Sequence, residues 1–559
     1  MFFYIIFLYY GRKLGIYDFF LYNLYNKYYK FFYLYNINYH SFIIPNWQLN
    51  TDLISIWFVP EYILGFSILW FIFIYIILLI SKKNTHEVVL YFFNKMYLIL
   101  SILIFSLIIL SWLAFVNKKV LFYKSFLLIN FFALFIKLFI SILCFCLIPF
   151  FENWYWKHQN NISELFFFYL GSMFFSFLLI SSVNIFISFI CLEGVAVQSY
   201  ILAMYNFSPI SIITVLKYFL LGSAASGIML IGLSILYGIY GTLHFSGLKD
   251  IFTYIFLNHD EIVYSSSDLF ITKISILLIL FGLIFKLGAF PLHIWVPSVY
   301  TNSPNPAFVF FATVIKFTII VFILKLFFLI FFDFLASLKP FFIIISLGSM
   351  IVGALGAFKE RRIKTFIAYT SINQAGFMLL GLCCHSAIGF AYVLYYLFIY
   401  IIITLGFLNF LINTFQSNSL RPLVFFEDLT DYCKNNTTIG LMFSCYVLSF
   451  AGLPPFAGFF GKLYIYFALA KANLFFLLVL TLFINLISLY YYIKIIKSIW
   501  FENLLDDGKK KLNYRLSEIN VIWFTFILTS IFNIFFMFFM NYYDTIIWKL
   551  FFSMILIFN

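Results

Sequence analysis

The sequence predicts an all-α polytopic membrane protein of about fourteen transmembrane helices, and three observations predict it. First, of 559 residues 65% are hydrophobic, 24% aromatic and only 10% charged, with a mean hydropathy of +1.05. A soluble chain of this size has too little interior to hide so much apolar surface. Second, apolar runs near the ~20 residues that cross a hydrocarbon core recur from end to end. Third, prolines interrupt two of these runs beside lysines, the mark of two inverted five-helix repeats. The repeats would be spans four to eight and nine to thirteen, with the seventh and twelfth spans broken.

In chain order, residues 1–60 read as a basic, aromatic N-terminal extension. Its MFFYIIFLYYGRK run is short for a signal peptide and no small-residue cleavage site follows. A lipid-surface or partner-contacting role is expected. Spans one to three, in 61–150, fall at 61–81, 97–117 and 125–150. The first repeat, 160–335, holds spans at 163–181, 182–204, 210–240, 268–297 and 305–331. The second, 336–500, holds spans at 340–358, 365–385, 387–414, 440–470 and 473–500. Residues 501–559 supply a polar loop and a last span at 518–541.

Charge orients these spans. Loops after odd-numbered spans carry fourteen Lys or Arg residues, against six after even-numbered ones. Both termini are therefore expected on the side away from the synthesising compartment, although Arg12, Lys13, Lys27 and Lys30 of the tail pull the other way. The net charge of +13 needs only this bias and anionic lipid, so no nucleic-acid partner is expected. The 84 Phe and 41 Tyr suggest AT-rich codons and an organellar genome.

Cofactor motifs are missing. Of the seven cysteines, Cys144, Cys146, Cys191 and Cys445 fall inside spans and Cys383 and Cys384 at a span end, where thiols serve as small packing groups. No CxxC, P-loop or HExxH occurs, so no metal and no bound cofactor is expected.

What remains is a set of charges inside apolar runs, each costing roughly 2.5–3.5 kcal/mol at a helix centre. Glu193 lies in ISFICLEGVAVQSYILAMY, Lys217 in IITVLKYFLLG, Lys286 in FGLIFKLGAFPLHIWVPS, Lys316 in FVFFATVIKFTIIVFILK and Lys462 in LSFAGLPPFAGFFGKLYIYF. Lys286, Lys316 and Lys462 are flanked too deeply to reach headgroups. For Lys137 and Lys325 two readings stand, an internal role and a side chain extended to the interface.

The prolines explain the lysines. Pro291 lacks an N–H and its ring collides with the carbonyl of residue 287, so the helix must break just after Lys286. Pro454 and Pro455 break the twelfth span ahead of Lys462. Carbonyls freed inside a bilayer are tolerated where they are buried or line a wet cavity. A desolvated lysine releases its proton readily, and a nearby carboxylate restores its hold. Glu193 reads as the only acid deep in a span and so as the switch for Lys286. An oxygen cage for Na⁺ is not visible, which favours protons.

These residues carry a resemblance. FKLGAFPLHIWVPSVYTNSPNPAFVFFATVIKF, GALGAFKERRIKTFIAYTSINQAGFMLLG, LSFAGLPPFAGFFGKLYIYF and LYYYIKIIKSIWF resemble the antiporter-like membrane subunits of respiratory complex I over about 160–500. The spacing from Lys286 to VY-x-x-x-P favours the subunit 2 branch over its larger sisters. The resemblance implies that Glu193, Lys217, Lys286, Lys316 and Lys462 match the glutamate and lysines of a midplane proton relay. It departs at Ser298, where the family has an acid, and at Gln374, where it often has histidine, so water would have to bridge there. Implied too are a translocase subunit free of redox chemistry and neighbours in the complex I membrane arm. NADH, FMN, iron–sulfur clusters and ubiquinone would belong to other subunits. Contact with membrane lipid, cardiolipin included, and residence in the mitochondrial inner membrane follow as expectations. A free-standing cation/proton antiporter and a non-pumping scaffold are the alternatives.

Overall fold

A computed structural model describes residues 60–61, 63–69, 96–108, 110–111, 121–123, 127–158, 162–257, 266–416, 424–426, 429, 433–434, 436–501, 514–516 and 520–555. The N-terminal extension and most of the first predicted span lie outside them. Among the described residues the chain is helical apart from two small antiparallel sheets. These are β1 (Leu121–Tyr123) with β2 (Leu127–Ile129), and β3 (Thr414–Gln416) with β4 (Tyr514–Leu516).

After α1 (Met96–Ile108) come α2 (Phe131–His158), α3 (Ile162–Ser181), α4 (Ile185–Met204) and α5 (Pro209–Tyr240). The short α6 (Phe245–Leu257) precedes α7 (Ser266–Leu287) and α8 (Trp295–Asn302). α9 (Asn305–Leu329) contains a π-helical turn at Phe311–Ile315. The second half holds α10 (Leu335–Lys359), α11 (Ile363–Leu380), α12 (Ala387–Asn413), α13 (Thr437–Ala451), α14 (Ala457–Lys471) and α15 (Phe475–Trp500). α16 (Asn520–Ile555) closes the chain.

Eleven of these helices are long and apolar enough to cross a membrane. The seventh predicted span is helical only to Leu287, and the twelfth is two helices, α13 and α14, on either side of residues 452–456. The last helix corrects the sequence reading: it runs fourteen residues past 541, to Ile555, taking Asp544 and Lys549 into it. Short joints such as 182–184 and 360–362 leave no room for a crossing, so α3 and α4, and likewise α10 and α11, run antiparallel. α3 packs along α4, α7 along α5, and α10 along α11. Small residues allow the last approach. A methyl added at Gly376 would lie 2.7 Å from the Ser346 carbonyl oxygen.

α9 is enclosed on all sides, from Pro306 to Phe327. Aromatic rings fill the space around it. Phe139 of α2 meets Phe317 of α9 and Phe398 of α12 at centroid distances of 4.8 and 4.7 Å. This enclosed helix carries Lys316 and Lys325, and α7 packs against it.

Candidate functional site

The break after α7 is built by local hydrogen bonding. Gly288 sits at φ +74, a left-handed conformation that a side chain disfavours. Its N–H bonds Ile284 O and Phe285 O, both at 3.0 Å, and Ala289 N–H bonds Ile284 O at 3.1 Å. Trp295 Nε1 donates to Phe285 O at 2.9 Å, so two of the carbonyls at the end of α7, those of Ile284 and Phe285, are taken up by the break itself. The break after α13 repeats the pattern. Gly452 sits at φ +81. Its N–H bonds Leu448 O at 3.1 Å and Ser449 O at 3.0 Å, and Leu453 N–H bonds Leu448 O at 3.2 Å. Three residues beyond each glycine stands a proline, Pro291 or Pro455, with a cis peptide bond before it.

Each break delivers a lysine to the interior. Lys286, in the last turn of α7, places Nζ 2.6 Å from Glu193 Oε1 of α4 and 3.2 Å from Leu192 O. The Lys286 side chain is 9% exposed and that of Glu193 30%, so the pair lies at the edge of the interior, nearer the surface on the carboxylate side. Lys462 of α14 is 3% exposed and has no acid. Its Nζ donates to Phe450 O at 2.8 Å, Ala451 O at 3.2 Å and Asn485 Oδ1 at 2.8 Å. It thus caps the carboxyl end of α13, where unpaired carbonyls and the helix dipole favour a cation.

Between them lies Lys316, one residue past the π turn of α9 and 3% exposed. Among the described residues its Nζ has no hydrogen-bond partner, and it stands 5.9 Å from the Tyr300 ring centroid. Beside it is a cavity of about 20 Å³ lined by Ala312, Thr370, Gln374, Tyr400, Phe450 and Tyr492 among others. That is room for about one water. Ala312 is one turn before Lys316 on α9, and Phe450 of α13 supplies a carbonyl to Lys462, so the cavity wall includes neighbours of both lysines. Gln374 Oε1 accepts from the Tyr396 hydroxyl. The water bridge expected at Gln374 has a place to form. Ser298 of α8 donates to Trp295 O at 2.9 Å, a bond within its own helix.

One expectation is corrected and three lysines are placed. Lys217 is exposed on the outer side of α5 among Ile213, Leu216 and Leu220, apart from the interior row. Lys137 and Lys325 do not extend to the interface: they are 1% and 2% exposed and bonded inside. Glu193 is not the only acid within the helices. Glu61 pairs with Lys137 in a second buried ion pair, and Asp544 of α16 accepts from the Tyr464 hydroxyl at 2.7 Å. Asn485, the side-chain partner of Lys462, was missed altogether. It carries no charge, so only the lysine's position could have pointed to it. Among the described residues no His, Cys, Asp or Glu cluster could hold a metal.

Residues 182–488 match the family described as NADH:quinone oxidoreductase/Mrp antiporter, TM. The chain belongs to this family. It is 32% identical over 343 residues to NADH-quinone oxidoreductase subunit N of Paramagnetospirillum magneticum, covering 61% of this chain and 69% of the relative. It is 33% identical over 289 residues to NADH-ubiquinone oxidoreductase chain 2 of Marchantia polymorpha, covering 51% and 56%. The fold is shared with a chain of respiratory complex I from Thermus thermophilus, with TM-score 0.66, 21% identity, and coverage of 85% of this chain and 97% of that one. A chain of the Mrp complex from Dietzia gives TM-score 0.71 at 16% identity, covering 90% and 98%. The family assignment agrees with the resemblance drawn from the motifs, and the matched region contains both breaks and Lys286, Lys316 and Lys462.

Proposed function

We propose that this chain is a proton-translocating membrane-arm subunit of NADH:ubiquinone oxidoreductase. Glu193, Lys286, Lys316 and Lys462 would pass protons along the interior. The observation that carries the reading is the graded surroundings of three buried lysines. Lys286 has a carboxylate at 2.6 Å, Lys316 has no hydrogen-bond partner among the described residues, and Lys462 has neutral oxygens. A buried ammonium facing a carboxylate holds its proton, and one facing nothing gives it up. A change in the charge of Glu193 therefore shifts the proton on Lys286, and the water-sized cavity offers a link between Lys316 and Lys462.

Energy would come from electron transfer in partner subunits of the same membrane arm, which would hold NADH, FMN, iron–sulfur clusters and ubiquinone. This chain would bind none of them and would act as a translocase without redox chemistry. The relationship to plant mitochondrial chain 2 proteins and the aromatic-rich composition favour an organelle-encoded protein of the mitochondrial inner membrane, in contact with its lipid, cardiolipin included. Lys217, on the outside of α5, would meet a neighbouring subunit and not the internal row.

The test is purification of the chain from native membranes, followed by proton pumping in sealed vesicles. Recovery with an NADH-oxidising assembly whose pumping fails in Lys316→Met supports the proposal. Recovery alone, or an assembled Lys316→Met enzyme that pumps normally, contradicts it.

A further inference from the structure

The inward face of α15 carries polar groups, while its outer face is apolar. Ser488, Tyr491 and Tyr492 are buried, whereas Phe483, Leu486, Ile487 and Tyr490 are exposed. Asn485, Ser488 and Tyr492 follow at three and four residues, so they share one face over two turns, about 10.5 Å of helix. These groups are joined. Ser488 Oγ donates to Asn485 Oδ1 at 2.9 Å, the same oxygen that accepts from Lys462 Nζ at 2.8 Å. The Tyr491 hydroxyl accepts from Asn373 Nδ2 at 3.4 Å and lies within hydrogen-bonding reach of Ser488 and Tyr492. The two tyrosine rings stand 4.5 Å apart. Tyr492 reaches Gln374 and lines the water-sized cavity together with Ala312 of α9. A run of polar groups thus leads from the cavity to the nitrogen of Lys462.

Three members of this run are hydroxyls, each able to donate and accept at once, whereas Gln374 and Asn485 are amides that cannot titrate. Ser488 already makes the bond by which a buried serine satisfies itself on its own helix, to Asn485 O at 2.7 Å. Its contact with Oδ1 is additional to what packing needs. Resting on the relay reading above, we propose that Tyr492, Tyr491 and Ser488 conduct protons between the cavity beside α9 and Lys462, with Asn485 as the positioning residue. Water in the cavity gives a proton to the Tyr492 oxygen, which passes its own to Tyr491, and Tyr491 passes its own to Ser488. Each oxygen gains one proton and loses one, so no charge stays on a hydroxyl. Asn485 Oδ1 holds Ser488 and Lys462 on one atom. The flexible lysine, when neutral, turns about that oxygen to take the serine's proton, and rotation of the hydroxyls resets the run.

The experiment reads proton pumping by the assembled complex in sealed vesicles, in light and in heavy water. A double variant, Tyr491→Phe with Tyr492→Phe, removes two hydroxyls and keeps both rings. Its pumping rate should fall severalfold, and its solvent isotope effect should rise, because proton transfer across the gap becomes limiting. Ser488→Ala should behave alike, and it decides alone should the double variant not assemble. Tyr490→Phe removes a hydroxyl from the outer face and should change neither reading. Normal pumping in either assembled inner-face variant overturns the route. A loss without a raised isotope effect also overturns it, by marking a packing defect, as does an equal loss in Tyr490→Phe. Lys316→Met separates this proposal from the relay. Normal pumping there removes the relay itself, whereas its failure beside normal pumping in the hydroxyl variants removes only the route along α15.

Discussion

The two broken helices share a backbone and differ in what they hold. Gly288 and Gly452 are both left-handed, at φ +74 and +81, and the same three amide bonds close each break. Yet the first lysine stands two residues before its glycine and reaches an acid on another helix. The second stands ten residues after its glycine and turns back on the carbonyls it faces. A proton on Lys286 can be held or released by what happens to Glu193. A proton on Lys462 is held by neutral oxygens of constant strength. On the proposed relay the first half would switch and the second conduct, with Glu193 facing one lysine and Asn485 the other.

The largest effect is expected where the shared backbone fails. Alanine at 288 must adopt a left-handed φ, costing about 1–2 kcal/mol, and its Cβ would lie 2.3 Å from Val296 Cγ2, adding about 1–3 kcal/mol of overpacking. Assembled complex should fall sharply on native gels. Gly452→Ala meets the flexible Lys462 Cδ, at 2.9 Å, and should assemble but pump poorly. Equal assembly of the two variants would break the comparison.

Next comes the switch. Lys286→Met should assemble, because it removes the buried charge without adding bulk, and should slow proton transfer by at least about a hundredfold, as loss of a positioned proton-transfer group does. Pumping in vesicles reads this. A smaller effect sharpens the comparison most. Asn485→Asp gives Lys462 the counter-charge that Lys286 has. One added charge-assisted bond, about 1.5 kcal/mol, should slow proton release roughly tenfold, visible as slower pumping at unchanged assembly. Faster pumping would mean that the second repeat also switches. The smallest change is expected from Gln374→His, which adds a titratable group beside a cavity that already has room for water, and pumping should stay within experimental scatter.

Much of this was legible in the sequence because length and apolarity decide membrane helices, and because proline leaves few ways to break them. Lys286, Lys316 and Lys462 were legible from the depth of apolar sequence around them. Lys217 was not. α5 is apolar on every face, so periodicity could not say which side looks inward, and Lys217 is exposed while its neighbour Tyr218 is buried. Lys137 and Lys325 were ambiguous because distance from a span end does not reveal whether the path to the interface is blocked. Lys325 is turned to the α3 carbonyls instead. Asp544 was missed because the polar Asn541 and the tyrosines after it resemble a helix end, although α16 continues through them.

The most direct test of the account is the ratio of protons pumped to NADH oxidised in sealed vesicles carrying assembled Glu193→Gln or Lys286→Arg enzyme. Glu193→Gln keeps shape and hydrogen bonding but leaves Lys286 without a counter-charge, so the lysine cannot be reloaded. Lys286→Arg keeps the charge, but a guanidinium cannot release it. A lowered ratio is expected for both, one locked empty and the other locked full. A wild-type ratio in both assembled variants would contradict it and leave the pair as a structural contact.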